Sequence, residues 1–194
     1  MIKKVSILKL GNYQSIVNSI KSLDQPYDTK LTLNKNEVAY SDIVLIPGVG
    51  NFQGHMETIE QYGLKDVLKD LYFKNKLIIG ICAGMQIFFQ ASEEANIEGI
   101  GLLEGYIYSL KNFHNQWNQV NFQNDKFTNL NGNYYFNHKY AYSLNEKYQI
   151  GHTYYADTKI ISAINSRRLY GFQFHPEKSQ NMGFKLLSFI INRF

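Results

Sequence analysis

One cysteine, three prolines and one tryptophan are all that 194 residues contain of these types. A single cysteine excludes a disulfide within the chain, and a lone thiol fits a reducing cytoplasm. No apolar run approaches the roughly 18 residues that span a bilayer. The first residues, Met1-Ile2-Lys3-Lys4-Val5-Ser6-Ile7, lack the long apolar segment and small-residue cleavage site of a secretory signal. A cytoplasmic protein without membrane association is therefore expected. Charge is also sparse, at 19% of residues, and 20 basic residues against 16 acidic ones leave a net charge of +4. The lysines are scattered, which reads as a solvated surface and not as a nucleic-acid footprint. There is no repeat, linker or low-complexity tail. The length suits one domain, 1–194, with a full core.

The apolar residues, 44% of the chain, fall in two styles. In the first half, short β-rich runs alternate with helical periodicity. Residues 5–10, 43–46 and 77–81 read as strands, and 15–23 and 57–71 as helices. Another helix begins at 85–89. Short apolar strands flanked by helices imply an α/β fold, an open and mostly parallel sheet covered on both faces. In the second half, the runs 102–110, 119–122, 133–136, 149–154, 159–164 and 169–174 are short, aromatic and separated by polar turns. They read as antiparallel or mixed strands added to the same sheet, with 183–191 as a closing helix. Open parallel sheets carry their sites at the carboxyl ends of the strands. Cys82, the 47–50 loop and Gly11-Asn12 each follow a strand.

Cys82 lies in Leu77-Ile78-Ile79-Gly80-Ile81-Cys82-Ala83-Gly84-Met85-Gln86. An apolar run ending in Gly-x-Cys-x-Gly before a helix has the form of a nucleophile elbow, where flanking glycines relieve crowding at a sharp turn. A thiol there faces a helix N-terminus, which favours ionisation. The bland alternative is a buried cysteine acting as a small hydrophobe. Gly171-Phe172-Gln173-Phe174-His175-Pro176-Glu177-Lys178-Ser179 supplies a partner. His175 can take the thiol proton and return it to a leaving group. Glu177, two residues on and on the same side of an extended backbone, can hold the imidazole. Alone, His-Pro-Glu is equally a surface ion pair. Acyl transfer also needs an oxyanion hole. Gly48, Val49 and Gly50 of Pro47-Gly48-Val49-Gly50-Asn51 offer backbone N–H groups, although the segment is equally a strand-ending turn. The Ala83 N–H is a natural second donor.

Together, Pro47-Gly48-Val49-Gly50, Gly80-Ile81-Cys82-Ala83-Gly84-Met85-Gln86 and Gln173-Phe174-His175-Pro176-Glu177-Lys178-Ser179 resemble the triad-type, class I glutamine amidotransferases. Gly11-Asn12, Trp117-Asn118 and Tyr135-Phe136-Asn137-His138-Lys139-Tyr140 extend the similarity over essentially the whole chain. Within the class they point to the glutaminase subunits of imidazole glycerol phosphate synthases. The resemblance implies Cys82, His175 and Glu177 as catalytic residues, acting on glutamine through a thioester without metal or other cofactor. It implies glutamine binding at Gln86, Glu94, His138, Lys139 and Tyr140. It also implies an oxyanion strand at Val49 that turns before the hole is complete. The implied partner is a (β/α)8 cyclase subunit, met through Asn12, Trp117, Asn118 and Lys178, which receives the ammonia in histidine biosynthesis. Trp117 as core and Lys178 as an ordinary surface charge are the bland readings. Two family glycines are absent: Lys9 stands at the first position of Gly-x-Gly-Asn, and Gln116 stands before Trp-Asn. Both changes fall on the expected partner side. A paralogue feeding ammonia to a sugar-amidinating enzyme is therefore an alternative. A catalytically silent partner-activating subunit is another, as is a thiol protease or transferase with a different substrate.

Overall fold

The computed structural model describes residues 2–23, 25–142 and 146–193. In chain order the elements are β1 (Lys3–Leu8), α1 (Gln14–Lys21), β2 (Tyr27–Thr32), α2 (Lys35–Ala39), β3 (Ile43–Ile46), α3 (Phe52–Gln61), α4 (Leu64–Phe73), β4 (Leu77–Ile81), α5 (Ala83–Gln86), β5 (Ala91–Ser92) and β6 (Ala95–Glu98). There follow β7 (Tyr106–Phe122), β8 (Gly132–Tyr142), β9 (Gln149–Tyr155), β10 (Thr158–Ser166), β11 (Leu169–Phe172) and α6 (Gln180–Ile191). The strands join in the order β2-β1-β3-β4-β11-β10-β9-β7-β5-β6, with β8 on β7. From β2 to β11 every pairing is parallel. Beyond β11 the pairings to β10, β9, β7 and β8 are antiparallel.

The central strands are apolar on both faces because both faces are covered. Val5, Ile7, Ile43, Leu45, Ile79 and Ile81 pack with Ile16 and Ile20 of α1 and Leu186, Leu187 and Ile190 of α6. The alternate residues Leu8, Val44, Ile46 and Ile78 pack with Val38 of α2, Met56 and Ile59 of α3 and Leu68 and Leu71 of α4. This is the period of two expected of strands, read on both sides at once.

Several elements differ from the sequence expectation. The single helix over 57–71 is two, α3 and α4, because Gly63 between them takes φ +62, a left-handed conformation that ends a helix. The helix beginning at 85–89 stops at Gln86. The carbonyls of Ile87, Phe88 and Phe89 accept from Ile100, Leu103 and Gly101 instead of from the next helical turn. The runs 102–110 and 119–122 belong to one strand, β7, that starts at Tyr106 and passes through the polar stretch between them. A register shift between Ser109 and His114 bends it, and it pairs with β8 and then β9. β2 and α2 carry no strong apolar pattern and are absent from the sequence reading. β2 is an edge strand with only Thr32 buried.

The α3–α4 break gives a direct test. No atom lies within 4 Å of a Cβ built at Gly63, so Gly63→Ala meets no steric clash and only the left-handed backbone resists it. Urea unfolding should show a loss of about 1 kcal/mol, with Gly63→Asn nearer the parent. Equal stability of Gly63→Ala and parent would remove this account of the break.

Candidate active site

β4 runs between β3 and β11, and its carboxyl end carries Cys82. The Cys82 N–H donates to the Phe172 carbonyl of β11 at 2.7 Å, and the chain turns at once into α5. Cys82 takes φ 50 and ψ −114, a strained conformation for a side-chain-bearing residue, of order 1–3 kcal/mol. The turn is tight: a Cβ on Gly84 would lie 2.2 Å from the Ile46 carbonyl oxygen.

β11 ends at Phe172, and the chain continues through Gln173 and Phe174 to His175. The His175 N–H donates to the Tyr135 carbonyl of β8 at 2.8 Å. Ser179 Oγ donates to the His175 carbonyl at 2.6 Å and accepts from the Tyr135 N–H at 3.0 Å. Residues Pro176–Lys178 form a 3-10 turn, not the extended segment that the sequence suggested. The turn nevertheless sets His175 Nδ1 2.8 Å from Glu177 Oε1, with both side chains buried. Glu177 Oε2 is buried with no partner among the described residues, so the carboxylate engages His175 through Oε1 only. Burial opposes charge on His175. Its charge interaction and hydrogen bond with Cys82, followed by those with Glu177, outweigh burial and raise its pKa to about 10. Stability contributed by that shift is complete below the ordinary value of 6.5 and is lost as pH rises through about 10.

A cavity of about 190 Å³ opens at the sulfur. That volume is below the range of drug-sized pockets and suits an amino-acid-sized ligand. Its wall brings together Cys82, His175, the 48–50 loop, Ala83, Gln86, Glu94 and 138–140. Gln86 is buried, and its Nε2 donates to the Tyr140 carbonyl at 2.9 Å. Glu94 Oε2 accepts from the Phe52 N–H at 2.8 Å, at the start of α3. Lys139 also lines the cavity, while its Nζ donates to the Lys111 carbonyl at 3.1 Å. Phe113, Asn137 and Gln173 were not anticipated. Phe113 and Asn137 line the cavity. Gln173 Nε2 lies 3.6 Å from Cys82 Sγ. It sat inside the quoted His-Pro-Glu segment, but nothing in the linear pattern distinguishes a carboxamide aimed at sulfur from one aimed at solvent.

The glycine loop is the point of difference. The Gly48 carbonyl accepts from the Ala83 N–H at 3.3 Å. A trans peptide directs its N–H opposite its carbonyl, so the Val49 N–H points away from Ala83. The expected donors, Val49 and Ala83, do not converge in this conformation. Gly11, at φ +54, packs so closely on this loop that a Cβ there would lie 1.7 Å from the Val49 carbonyl oxygen. Asn51 caps α3 by accepting from the Gly54 N–H at 2.7 Å. Beneath the loop, the buried ring of His55 has Nε2 3.0 Å from the Pro47 carbonyl and Nδ1 3.0 Å from the Asn51 carbonyl.

Of the expected partner-facing residues, Trp117 is 44% exposed and lies against Tyr135 at 6.0 Å between ring centroids. Lys178 Nζ is also 6.0 Å from the Tyr135 ring. Asn118 Nδ2 donates to the Tyr154 carbonyl at 2.7 Å, and Gln116, where the family has glycine, donates to Asn118 Oδ1. Asn12 is exposed on the turn beside Gly11.

Comparison with known proteins agrees with this architecture. The model of the family described as glutamine amidotransferase class-I matches residues 7–189. The chain belongs to the class-I glutamine amidotransferases. As a member of that family it is a glutamine amidotransferase enzyme. This amidotransferase is 37% identical over 185 residues to the imidazole glycerol phosphate synthase subunit HisH of Staphylococcus epidermidis, covering 92% of this chain and 91% of the relative. It is 35% identical over 188 residues to the HisH subunit of Thermotoga maritima, covering 93% and 92%. Among solved structures, one titled glutamine amidotransferase superposes with TM-score 0.76 at 16% identity, over 95% of this chain and 98% of that one. PurLQS from Thermotoga maritima superposes with TM-score 0.74 at 16% identity, over 100% and 99%. Among the described residues no helix is long and apolar enough to cross a membrane, and no three His, Cys, Asp or Glu side chains converge as a metal-ligand set.

Four of the five histidines of this amidotransferase have pKa values lowered by burial. His114 falls to about 4 and His138 to about 3, with the charges of His114 and His175 adding to the effect of burial on His138. His55 and His152 are lowered as well. Such groups stabilise the fold above pH 6.5, and that contribution is lost as pH falls toward their folded values. At pH 5 the unfolded chain should bind about two more protons than the folded one from His114 and His138 alone. Urea unfolding free energy should therefore fall by roughly 2–3 kcal/mol per pH unit near pH 5. A flat profile between pH 7 and 5 would contradict the burial of these rings.

Proposed function

We propose that this enzyme hydrolyses glutamine with Cys82 as nucleophile, His175 as general acid and base, and Glu177 as the group that orients His175. The observation that carries the reading is geometric: Cys82, on a strained turn, and His175 line one cavity, and the buried Glu177 carboxylate holds the far side of the imidazole at 2.8 Å. His175 holds the thiol proton, and the sulfur attacks the glutamine side-chain carbonyl carbon. The tetrahedral adduct collapses as His175 protonates the departing nitrogen, leaving a thioester and ammonia. His175 then takes a proton from water, hydroxide adds to the thioester, and glutamate leaves as the proton returns to sulfur. The net change is glutamine plus water to glutamate plus ammonia. Gln86, Glu94 and the backbone of 138–140 are the proposed contacts for the substrate.

The Gly48–Val49 peptide gives this chemistry a gate. With its carbonyl on the Ala83 N–H, the oxyanion has no paired donors. Half a turn of that one peptide frees Ala83 and swings the Val49 N–H inward, completing the hole formed by Gly48, Val49, Gly50 and Ala83. The energy for the turn would come from a loaded partner. The HisH relatives support a (β/α)8 cyclase subunit of imidazole glycerol phosphate synthase as that partner. It would receive the ammonia and make imidazole glycerol phosphate and AICAR in histidine biosynthesis. Asn12, Trp117, Asn118 and Lys178 are its proposed contacts. Gln116 and Lys9 favour one competing reading, a glutaminase that serves a sugar-amidinating acceptor through the same face.

Glutamate release should be slow for the chain alone and rise at least tenfold with the cyclase subunit and its ribonucleotide substrate, as for a step limited by conformation. Cys82→Ala should lower the stimulated rate by about 10³-fold or more. Trp117→Ala should weaken the complex by about 10-fold or more while leaving the slow rate of the free chain unchanged. No response to the cyclase, with Cys82 still labelled by a glutamine-like affinity reagent, would move the assignment to the sugar-pathway acceptor.

A further inference from the structure

We propose that Gln173 is a positioning residue for the nucleophile, its carboxamide N–H held on the Cys82 sulfur by a buried hydrogen-bond chain anchored at the Tyr140 carbonyl. The proposal rests on the reading of Cys82 as the nucleophile. Its argument begins with an acceptor that has no choice. A backbone carbonyl only accepts, and the Tyr140 carbonyl receives Gln86 Nε2 at 2.9 Å and His138 Nδ1 at 2.8 Å. Those contacts settle the orientation of one amide and the tautomer of one ring.

Along the first arm, the Gln86 amide nitrogen turned toward Tyr140 also donates to Gln173 Oε1 at 3.1 Å. Only an oxygen can meet that N–H, so Gln173 Oε1 faces Gln86. Gln173 Nε2 must then face the other way, where Cys82 Sγ lies at 3.6 Å. Flipping Gln173 would oppose two amide nitrogens and turn an oxygen lone pair on the sulfur. Gln173 is fully buried and Gln86 nearly so, so water does not compete for either amide. Along the second arm, a protonated Nδ1 leaves His138 Nε2 as an acceptor, and His114 Nδ1 donates to it at 2.9 Å. His114 cannot swing away, because its ring is stacked on Phe136 and Tyr155 with centroids 4.4 and 4.1 Å apart. The two arms make the Tyr140 carbonyl, and through it Gln173, a rigid fixture.

The contact matters most when the sulfur is ionised. The Cys82 thiol has the Asn137 carbonyl 3.9 Å away as a weak acceptor. That carbonyl offers nothing to a sulfur anion, whereas the Gln173 N–H gains a charge-assisted bond. A donor on the charged form favours that form. It also leaves the sulfur one fewer direction to relax into, so the anion is aimed at the cavity. Gln173 thereby complements His175 without handling a proton.

The test uses the full chain and iodoacetamide, a probe whose rate reads ionised and accessible sulfur. Gln173→Met keeps bulk and loses the donor. Gln173→Glu keeps shape and an oxygen for Gln86, but turns an acceptor on the sulfur. Alkylation of Cys82 at pH 7 should slow in the order parent, Met, Glu, with about a tenfold loss or more for Glu, and the pH profile of alkylation should move to higher pH. In Gln173→Glu, which keeps an oxygen for Gln86, glutamine turnover should lose kcat with KM within about twofold. Parent-like alkylation and pH profile in both variants would overturn the proposal, because a purely structural Gln173 tolerates its isostere. If either variant fails to fold, the parent decides by NMR: the Gln173 side-chain amide protons should shift with the same pH midpoint as alkylation, and an unresponsive amide overturns the proposal. Residual glutaminase in Cys82→Ala would instead count against the nucleophile reading. Alkylation reports the sulfur contact independently of turnover.

Discussion

Cys82 holds a left-handed backbone that ordinary side chains avoid, and most of the site follows from what keeps it there. β4 is clamped between β3 and β11, and the Phe172 carbonyl takes the Cys82 N–H. The strand cannot drift, so the turn is absorbed at one residue. Glycine at position 84 is the condition for that, since any Cβ would strike the Ile46 carbonyl. The same crowding sets the Gly48 carbonyl against Ala83. Elbow and glycine loop are therefore one packing problem, and a change in the loop is felt at Cys82.

The polar groups around the elbow are buried, and burial turns each into an orientation device. An unpaired buried donor or acceptor costs about 1–3 kcal/mol, so the pairing pattern is unforgiving. Glu177 aims His175, Ser179 ties the His175 turn to β8, and Tyr140 orders Gln86 and His138. His114, far from any proton-transfer role, is held neutral and stacked. It lies three residues from Trp117 on β7, so the strand that presents the exposed tryptophan also braces the cavity wall.

Much of this was legible in the linear pattern. Gly-x-Cys-x-Gly after an all-apolar run announces a strand and a tight turn. Ile43-Val44-Leu45-Ile46 before Pro47-Gly48 announces a buried parallel strand and its end. The amphipathic second-half runs marked most antiparallel strands. Other features were not legible, beyond β2, α2 and the early end of α5. The α3–α4 break hung on one glycine inside a good apolar period. The polar middle of β7 reads as a turn, because its side chains face solvent, a stacked ring or a neighbouring strand, and alternation does not register such mixed surroundings. The Pro176–Lys178 turn brings His175 and Glu177 together by a different backbone path than two extended residues would.

The sequence by itself determined the α/β class, the strand that carries Cys82 and the tight turn that follows it. Each of these is a local property of apolar period, glycine placement and proline placement. Only the tertiary structure decided which groups meet. Gln173 and Gln86 are 87 residues apart, and Gln86 and Tyr140 54 apart. Their pairing depends on β11 lying beside β4 and on β8 crossing the cavity. The direction of the Gly48 carbonyl, toward the Ala83 N–H, is likewise a matter of packing. A peptide that follows a glycine has more than one allowed orientation, and the Ala83 N–H and the Gly11 turn select among them.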